Sequence, residues 1–262
     1  MTTQSEKAAR FLELHRPGNP LLLPNPWDQG SARLLASLGF QALATTSSGF
    51  CATLGRLDGS VSRGEILAHA ATIVAATDLP VSADLENGYA DDPADVARTV
   101  ILAVEAGLAG CSIEDYSGRD DDPIYDSSLA AERVVAAAEA AHSGPRRLVL
   151  TARAENHIRG RDDLADTIAR LQRYAEAGAD VLYAPGLTRA SDIREVVRSA
   201  GRPSVAELAE LGVARISVGG AFAFAVLGAL ADAARELQTA GTYGFWRQAA
   251  AGRQAARAAF RP

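Results

Sequence analysis

Short apolar runs alternate with longer amphipathic stretches along the whole chain. Residues 21–24, 41–44, 80–83, 110–113, 147–151, 180–183 and 213–218 have the length and composition of buried strands. Helical spacing runs over 3–15, 27–38, 63–76, 93–106, 128–141, 162–177, 191–199 and 205–211, and then over 221–237 and 243–260. Strands and helices alternating at this interval predict a parallel sheet. Helices end in one recurring phrase before the next strand: Leu38-Gly39-Phe40, Ala106-Gly107-Leu108, Ala177-Gly178-Ala179 and Leu211-Gly212-Val213. That repeated stop, with a length of 262 residues, fits a closed α/β barrel of about 250 residues better than an open sheet. One beat is missing. Ala200-Gly201-Arg202-Pro203-Ser204 stands where a seventh strand belongs, and Gly and Pro in so short a run do not make a normal buried strand. The seventh strand is therefore expected to be short or missing. Residues 45–62 and 116–127 read as long loops, the second acidic. The helix over 221–237 is apolar on more than one face, so it is either central or buried against another subunit. With no linker or low-complexity segment, 1–262 reads as one domain.

Composition removes several functions. The net charge is −6 and no basic stripe is present, which speaks against nucleic acid as a partner. No apolar run is long enough to cross a membrane and no signal-peptide pattern opens the chain. Cys51 and Cys111 lack metal-like spacing and read as free thiols of a cytoplasmic protein. The one lysine, Lys7, lies in a polar N-terminal segment. A lysine Schiff base and a phosphate-gripping P-loop lysine are thereby excluded. If the protein handles a 2-oxo acid, a metal or backbone donors must carry the electrophilic role.

In a barrel the C-terminal strand ends meet at one mouth. They deliver Asn25 and Asp28, then Thr46, Ser47, Ser48 and Gly49 with Asp58 further on, then Asp84 and Glu86, Glu114, and finally Arg153, Glu155 and His157. Asp84 and Glu86 leave a buried run one residue apart, before an Asn87-Gly88 turn. Hard oxygen ligands in that place suit Mg²⁺ better than Zn²⁺. Acids crowded around one arginine repel unless a cation sits among them. Arg153, the obvious basic group at a strand end, is the expected clamp for an anionic substrate. Plainer roles stay open. Asp28 can simply cap a helix, Glu114 and Asp115 can sit in a solvated loop, and Arg153 can pair with a carboxylate and hold the mouth together. His157 and Cys51 can be incidental loop residues, and Trp27 can pack behind the first strand.

These residues, in this order, resemble the isocitrate lyase/phosphoenolpyruvate mutase superfamily. The matching points are Asn25-Pro26-Trp27-Asp28, Thr46-Ser47-Ser48-Gly49-Phe50, Asp58, Ala83-Asp84-Leu85-Glu86-Asn87-Gly88-Tyr89, Ile113-Glu114-Asp115, Ala152-Arg153 and Ala177-Gly178-Ala179-Asp180. The resemblance implies a (β/α)₈ TIM-type barrel with extra C-terminal helices, about 221–260, at a subunit interface of a homo-oligomer, a tetramer or dimer. It implies Mg²⁺ or Mn²⁺ and a 2-oxo acid or its enolate. By position, Asp84 would be the main metal ligand, with Glu86 and Glu114 holding metal-bound waters and Asp58 beside the reacting group. Ser48, Gly49 and Phe50 would bind the substrate's carboxylate and oxo group, and Arg153 its anionic end.

The departures are as informative. Glu86 stands where the superfamily's metal motif usually has aspartate. The lyase branch carries a Lys-Lys/Arg-Cys-Gly-His lid after the fourth strand, but the loop here runs from Tyr116 through Arg119, Asp120, Asp121 and Asp122 without cysteine, lysine or histidine. The lysine and asparagine of the mutase gating loop are absent too. The expected activity is a Mg²⁺-dependent lyase or decarboxylase on a small 2-oxo or 2-hydroxy (di)carboxylate. The returning proton would come from Tyr89 or a metal-bound water. A mutase-type P–C bond enzyme and a non-catalytic ligand-binding relative are the alternatives.

Overall fold

The computed structural model of the protein describes residues 2–143, 147–187, 189–196, 205–210 and 212–260. Its elements are α1 (Gln4–Glu13), β1 (Leu21–Leu23), α2 (Gln29–Ser37), β2 (Leu43–Ala44), α3 (Ser47–Thr53), α4 (Arg63–Ala75), β3 (Val81–Asp84), α5 (Pro93–Glu105), β4 (Gly110–Glu114), α6 (Ser127–His142), β5 (Val149–Arg153), α7 (Leu164–Glu176), β6 (Val181–Tyr183), α8 (Ala190–Val196), α9 (Val205–Glu210), β7 (Arg215–Ser217), α10 (Ala221–Thr239) and α11 (Trp246–Ala259). All strand pairs are parallel: β2-β3-β4-β5-β6 form one sheet and β1 pairs with β7. The Ala44 amide donates to the Pro24 carbonyl at 3.0 Å, so the strands follow one another as a single arc, β7-β1-β2-β3-β4-β5-β6. This is the wall of a TIM-type barrel with two extra C-terminal helices. The expected short or missing seventh strand falls on 200–204, which lie outside the described residues.

Alternation along each strand sorts its side chains. Leu43, Val81, Ala83, Cys111, Ile113, Leu150 and Ala152 face outward into one buried cluster with Ile66, Ile73, Val96, Val100, Val134 and Leu171 of the surrounding helices. Inside, Phe11 and Ala8 of α1 join Leu21, Leu23, Ala42 and Val149. Gln4 donates to the Leu108 and Arg147 carbonyls at 2.7 and 2.9 Å, which fixes α1 beneath the starts of β4 and β5. A Cβ on Gly110 would stand 2.6 Å from the Phe11 ring, so that strand start must be glycine. Above this plug the interior turns polar, with Ser82, Ser112 and Thr151 all buried. The chemistry sits on that polar floor.

One reading of the sequence needs correction and two are sharpened. The segment 45–62 is not all loop, because it holds α3, whose N-cap Thr46 accepts from the Gly49 amide at 3.3 Å. Its Ser/Gly-rich, seven-residue sequence is too short to show a helical period. The acidic loop is partly ordered by an antiparallel bridge between Tyr116 and Ile124. Helix α10 is not central: of its residues only Ala223 is buried, and Phe222, Phe224, Val226, Leu227 and Leu230 are exposed.

Candidate active site

β3, β4 and β5 end at Asp84, Glu114 and Arg153. The register sets Glu114 directly beside Arg153. Arg153 Nη1 lies 3.0 Å from Asp84 Oδ1, and its Nη2 lies 3.0 Å from Glu114 Oε2 and 2.8 Å from Glu155 Oε1. Its Nε donates to Glu155 Oε1 at 3.1 Å. Burial works against the cation, but the Glu114, Asp84 and Glu155 carboxylates outweigh it and hold Arg153 firmly protonated. The other oxygen of Asp84 accepts from the Ser47 amide at 3.2 Å and the Ser47 hydroxyl at 3.0 Å. Those donors sit at the start of α3, where unsatisfied amides favour a carboxylate.

After β3 the chain makes a tight turn. Leu85 is fully buried, and Glu86 and Tyr89 take φ of 47° and 58°. Neither is glycine, so this left-handed backbone costs energy that the surroundings must offset. Arg133 of α6, 1 % exposed, helps to do so. It donates to the Glu114 carbonyl at 3.2 Å, the Ala90 carbonyl at 3.0 Å and the Asn87 carbonyl, and stacks on the Tyr125 ring at 4.0 Å. The Glu86 carbonyl accepts from the Glu114 amide at 2.9 Å. The turn thus aims Glu86 into the barrel, where it accepts from the Tyr89 hydroxyl at 3.1 Å. Burial, with Asp58 and Asp84 nearby, pushes the Glu86 carboxyl up to about 7. Burial raises Asp58 as well.

These groups line one cavity of roughly 600 Å³ at the C-terminal strand ends. Five carboxylates face it, from Asp58, Asp84, Glu86, Glu114 and Glu155, against three guanidiniums, from Arg153, Arg159 and Arg215. Fully ionised, the lining carries two negative charges in excess. Among the described residues no three His, Cys, Asp or Glu side chains are grouped as a ready-made metal cage. Mg²⁺ does not need one, since it keeps several waters and takes one or two carboxylates directly. Hard oxygen donors, more carboxyls than guanidiniums, and acids raised by burial and then by one another fit a hydrated divalent cation.

The structure brings Asp58, Asp84, Glu86, Glu114, Arg153 and Ser48 to this cavity. It does not bring Gly49 or Phe50 there. The Gly49 amide serves the Thr46 cap, and a Cβ on Gly49 would stand 3.2 Å from Trp27 and 3.3 Å from Ala223, so this glycine serves packing. Phe50 stacks on His69 with centroids 4.0 Å apart. Glu114 and Asp115 are buried, not in a solvated loop. Asp115 pairs with Arg170 at 3.1 Å and accepts from Tyr174 at 2.6 Å. Asp28 caps α2. Asn25 is a clamp at the mouth: its Oδ1 accepts from the Val218 and Gly219 amides at 3.0 Å, and its Nδ2 donates to the Thr45 carbonyl at 3.1 Å. Both cysteines are buried away from the cavity lining. Sequence reasoning missed Arg215, hidden inside an apolar strand, and Arg159 and Arg133, which look like ordinary surface positions of a loop and an Ala-rich helix.

A phosphoenolpyruvate phosphomutase family model matches residues 11–238. A crystal structure of a protein from Burkholderia cenocepacia J2315, provisionally assigned as a lyase/mutase, is 50% identical and superposes with a TM-score of 0.94 over 99% of this chain and 98% of that one. The 2-methylisocitrate lyase of Halalkalibacterium halodurans is 30% identical over 213 residues, 80% of this chain and 70% of the enzyme. The crystal structure of 2,3-dimethylmalate lyase in its trigonal form is 27% identical, with a TM-score of 0.79 over 93% of this chain and 87% of that one.

Proposed function

Because the chain belongs to the isocitrate lyase/phosphoenolpyruvate mutase superfamily, whose family model spans residues 11–238, we propose that it is a cytoplasmic, Mg²⁺-dependent carbon–carbon lyase or decarboxylase for a small 2-oxo or 2-hydroxy (di)carboxylate. The observation that carries this reading is the cavity with five carboxylates against three guanidiniums. Related lyases acting on methylisocitrate and dimethylmalate support the substrate class. Asp84 would hold the metal, with Glu86 and Glu114 holding its waters and Asp58 beside the reacting carbon. Mg²⁺, or Mn²⁺, would supply stabilisation for the negative charge that develops when a bond next to an oxo group breaks.

The chain's own residues do the rest. Arg153 pins Asp84 and Glu114 at 3.0 Å, and Ser47 fixes the second Asp84 oxygen, so the donors are preorganised. Ser48 lines the same wall and offers its hydroxyl to a substrate carboxylate. The Tyr89 hydroxyl, bonded to Glu86, returns a proton to the carbon left electron-rich by bond cleavage. Glu86, which accepts from that hydroxyl at 3.1 Å, holds the phenol in place and links it to the water that restores its proton. The mutase alternative is disfavoured by charge. It needs a cationic lid, whereas Arg119, the basic residue of the 116–126 loop, is already paired with Asp91 at 3.2 Å and Asp122 at 3.6 Å. The uncovered apolar side of α10 supports a homo-oligomer, a tetramer or dimer, with α10 and α11 at its interface.

A crystal structure with Mg²⁺ and oxalate tests the site. The reading expects an ion bound to Asp84 and oxalate in the cavity, and neither in the Asp84→Ala variant. Mg²⁺ bound elsewhere, or equally well without Asp84, would remove the reading.

A further inference from the structure

Three guanidiniums line the cavity, and their partners differ. Arg153 is spent on Asp84, Glu114 and Glu155. These contacts take up Nε, Nη2 and one N–H of Nη1, so no two-pronged edge is left for a substrate carboxylate, against the clamp role expected of it from the sequence. Arg215 lies lower in the interior, where Nη1 donates to Thr151 Oγ1 at 3.1 Å on the polar floor. Arg159 is at the mouth. Its Nε approaches Glu155 Oε2 at 3.5 Å, beyond a good hydrogen bond. Its guanidinium lies over the Tyr116 ring at 3.5 Å. Among the described residues no hydrogen bond to its two terminal nitrogens is present.

Stacking holds the guanidinium plane while leaving its edge free, the arrangement arginine uses to grip carboxylates bidentately. Glu155 sets the spacing. One of its oxygens faces Arg153 and the other faces Arg159, so the two cations stand a single carboxylate apart. A substrate whose reacting end lies by Asp84 therefore needs only a short chain to bring a second anionic end to Arg159.

Resting on the lyase reading above, we propose that Arg159, held by Tyr116, is the ligand for the distal carboxylate of the substrate, and that it selects short dicarboxylates over monocarboxylates.

The test is a binding comparison with two probes that differ only at the distal group, malate and 2-hydroxybutyrate, beside oxalate, which has no distal arm. Titrations with Mg²⁺ present are run on wild type, Arg159→Gln and Arg215→Gln. Wild type should bind malate at least tenfold tighter than 2-hydroxybutyrate. Arg159→Gln should lose that preference while binding oxalate within twofold of wild type, which also shows that the variant is folded. Tyr116→Leu should reduce the preference in the same direction. The proposal is overturned if wild type shows no preference, if Arg159→Gln keeps it, or if Arg215→Gln alone removes it. Failure of wild type to bind oxalate at all would instead overturn the lyase reading, and this inference with it.

Discussion

Glu86 shows how a single residue carries the state of the site. It is a carboxyl two residues beyond the end of β3, in a left-handed turn, and two more acids, Asp58 and Asp84, act on it. In the metal-free protein its carboxyl is raised from 4.5 to about 7, first by burial and then by Asp58 and Asp84. Below about pH 4.5 both folded and unfolded chains hold this proton. Between 4.5 and 7 the unfolded chain releases it while the folded chain keeps it, so stability falls as pH rises, and the loss is complete above 7. The span corresponds to a contribution on the order of 3 kcal/mol. Glu86→Gln should therefore flatten the decline in urea midpoint between pH 5 and 8 in EDTA and leave the variant more stable than wild type at pH 8. An unchanged slope would mean that Glu86 is not the strained acid of the site.

At the scale of elements, most of the barrel could be read from apolar alternation, because strands buried on both faces and helices that end in glycine leave strong local patterns. Asp84, Glu86, Glu114 and Arg153 were legible for the same reason: polar residues ending apolar runs. What could not be read depended on distant partners. That Arg153 would also meet Asp84 and Glu114 follows from the β3-β4-β5 register, which no local pattern encodes. Helix α3 hid behind turn-forming residues, and Arg133 behind alanines. Helix α10 reads as apolar on more than one face, and the chain itself leaves most of that surface uncovered. Only Ala223 is covered, and Phe224, Val226 and Leu230 are 51%, 53% and 64% exposed. An apolar patch of that kind marks an interaction surface. Light scattering at micromolar concentration should give a homo-oligomer, and replacing Val226 and Leu230 by glutamate should shift it toward monomer without lowering the helical content. A wild-type monomer would refute the assignment of this surface.

The whole molecule has a plugged, TIM-type interior whose polar floor supports an acidic ring at the strand ends, with three arginines that divide the work among them. None of the helices among the described residues is long and apolar enough to cross a membrane. The catalytic reading depends on a cation completing the ring and on a substrate that can shed a fragment beside an oxo group. The most direct measurement is release of pyruvate or glyoxylate from a panel of 2-oxo and 2-hydroxy dicarboxylates, oxaloacetate and malate derivatives included, assayed with Mg²⁺ against a metal-only background. At least one member should turn over slowly, with activity removed reversibly by EDTA and lost in Asp58→Ala. If oxalate binds but no member turns over above background, the lyase account is contradicted and the fold serves as a ligand-binding protein.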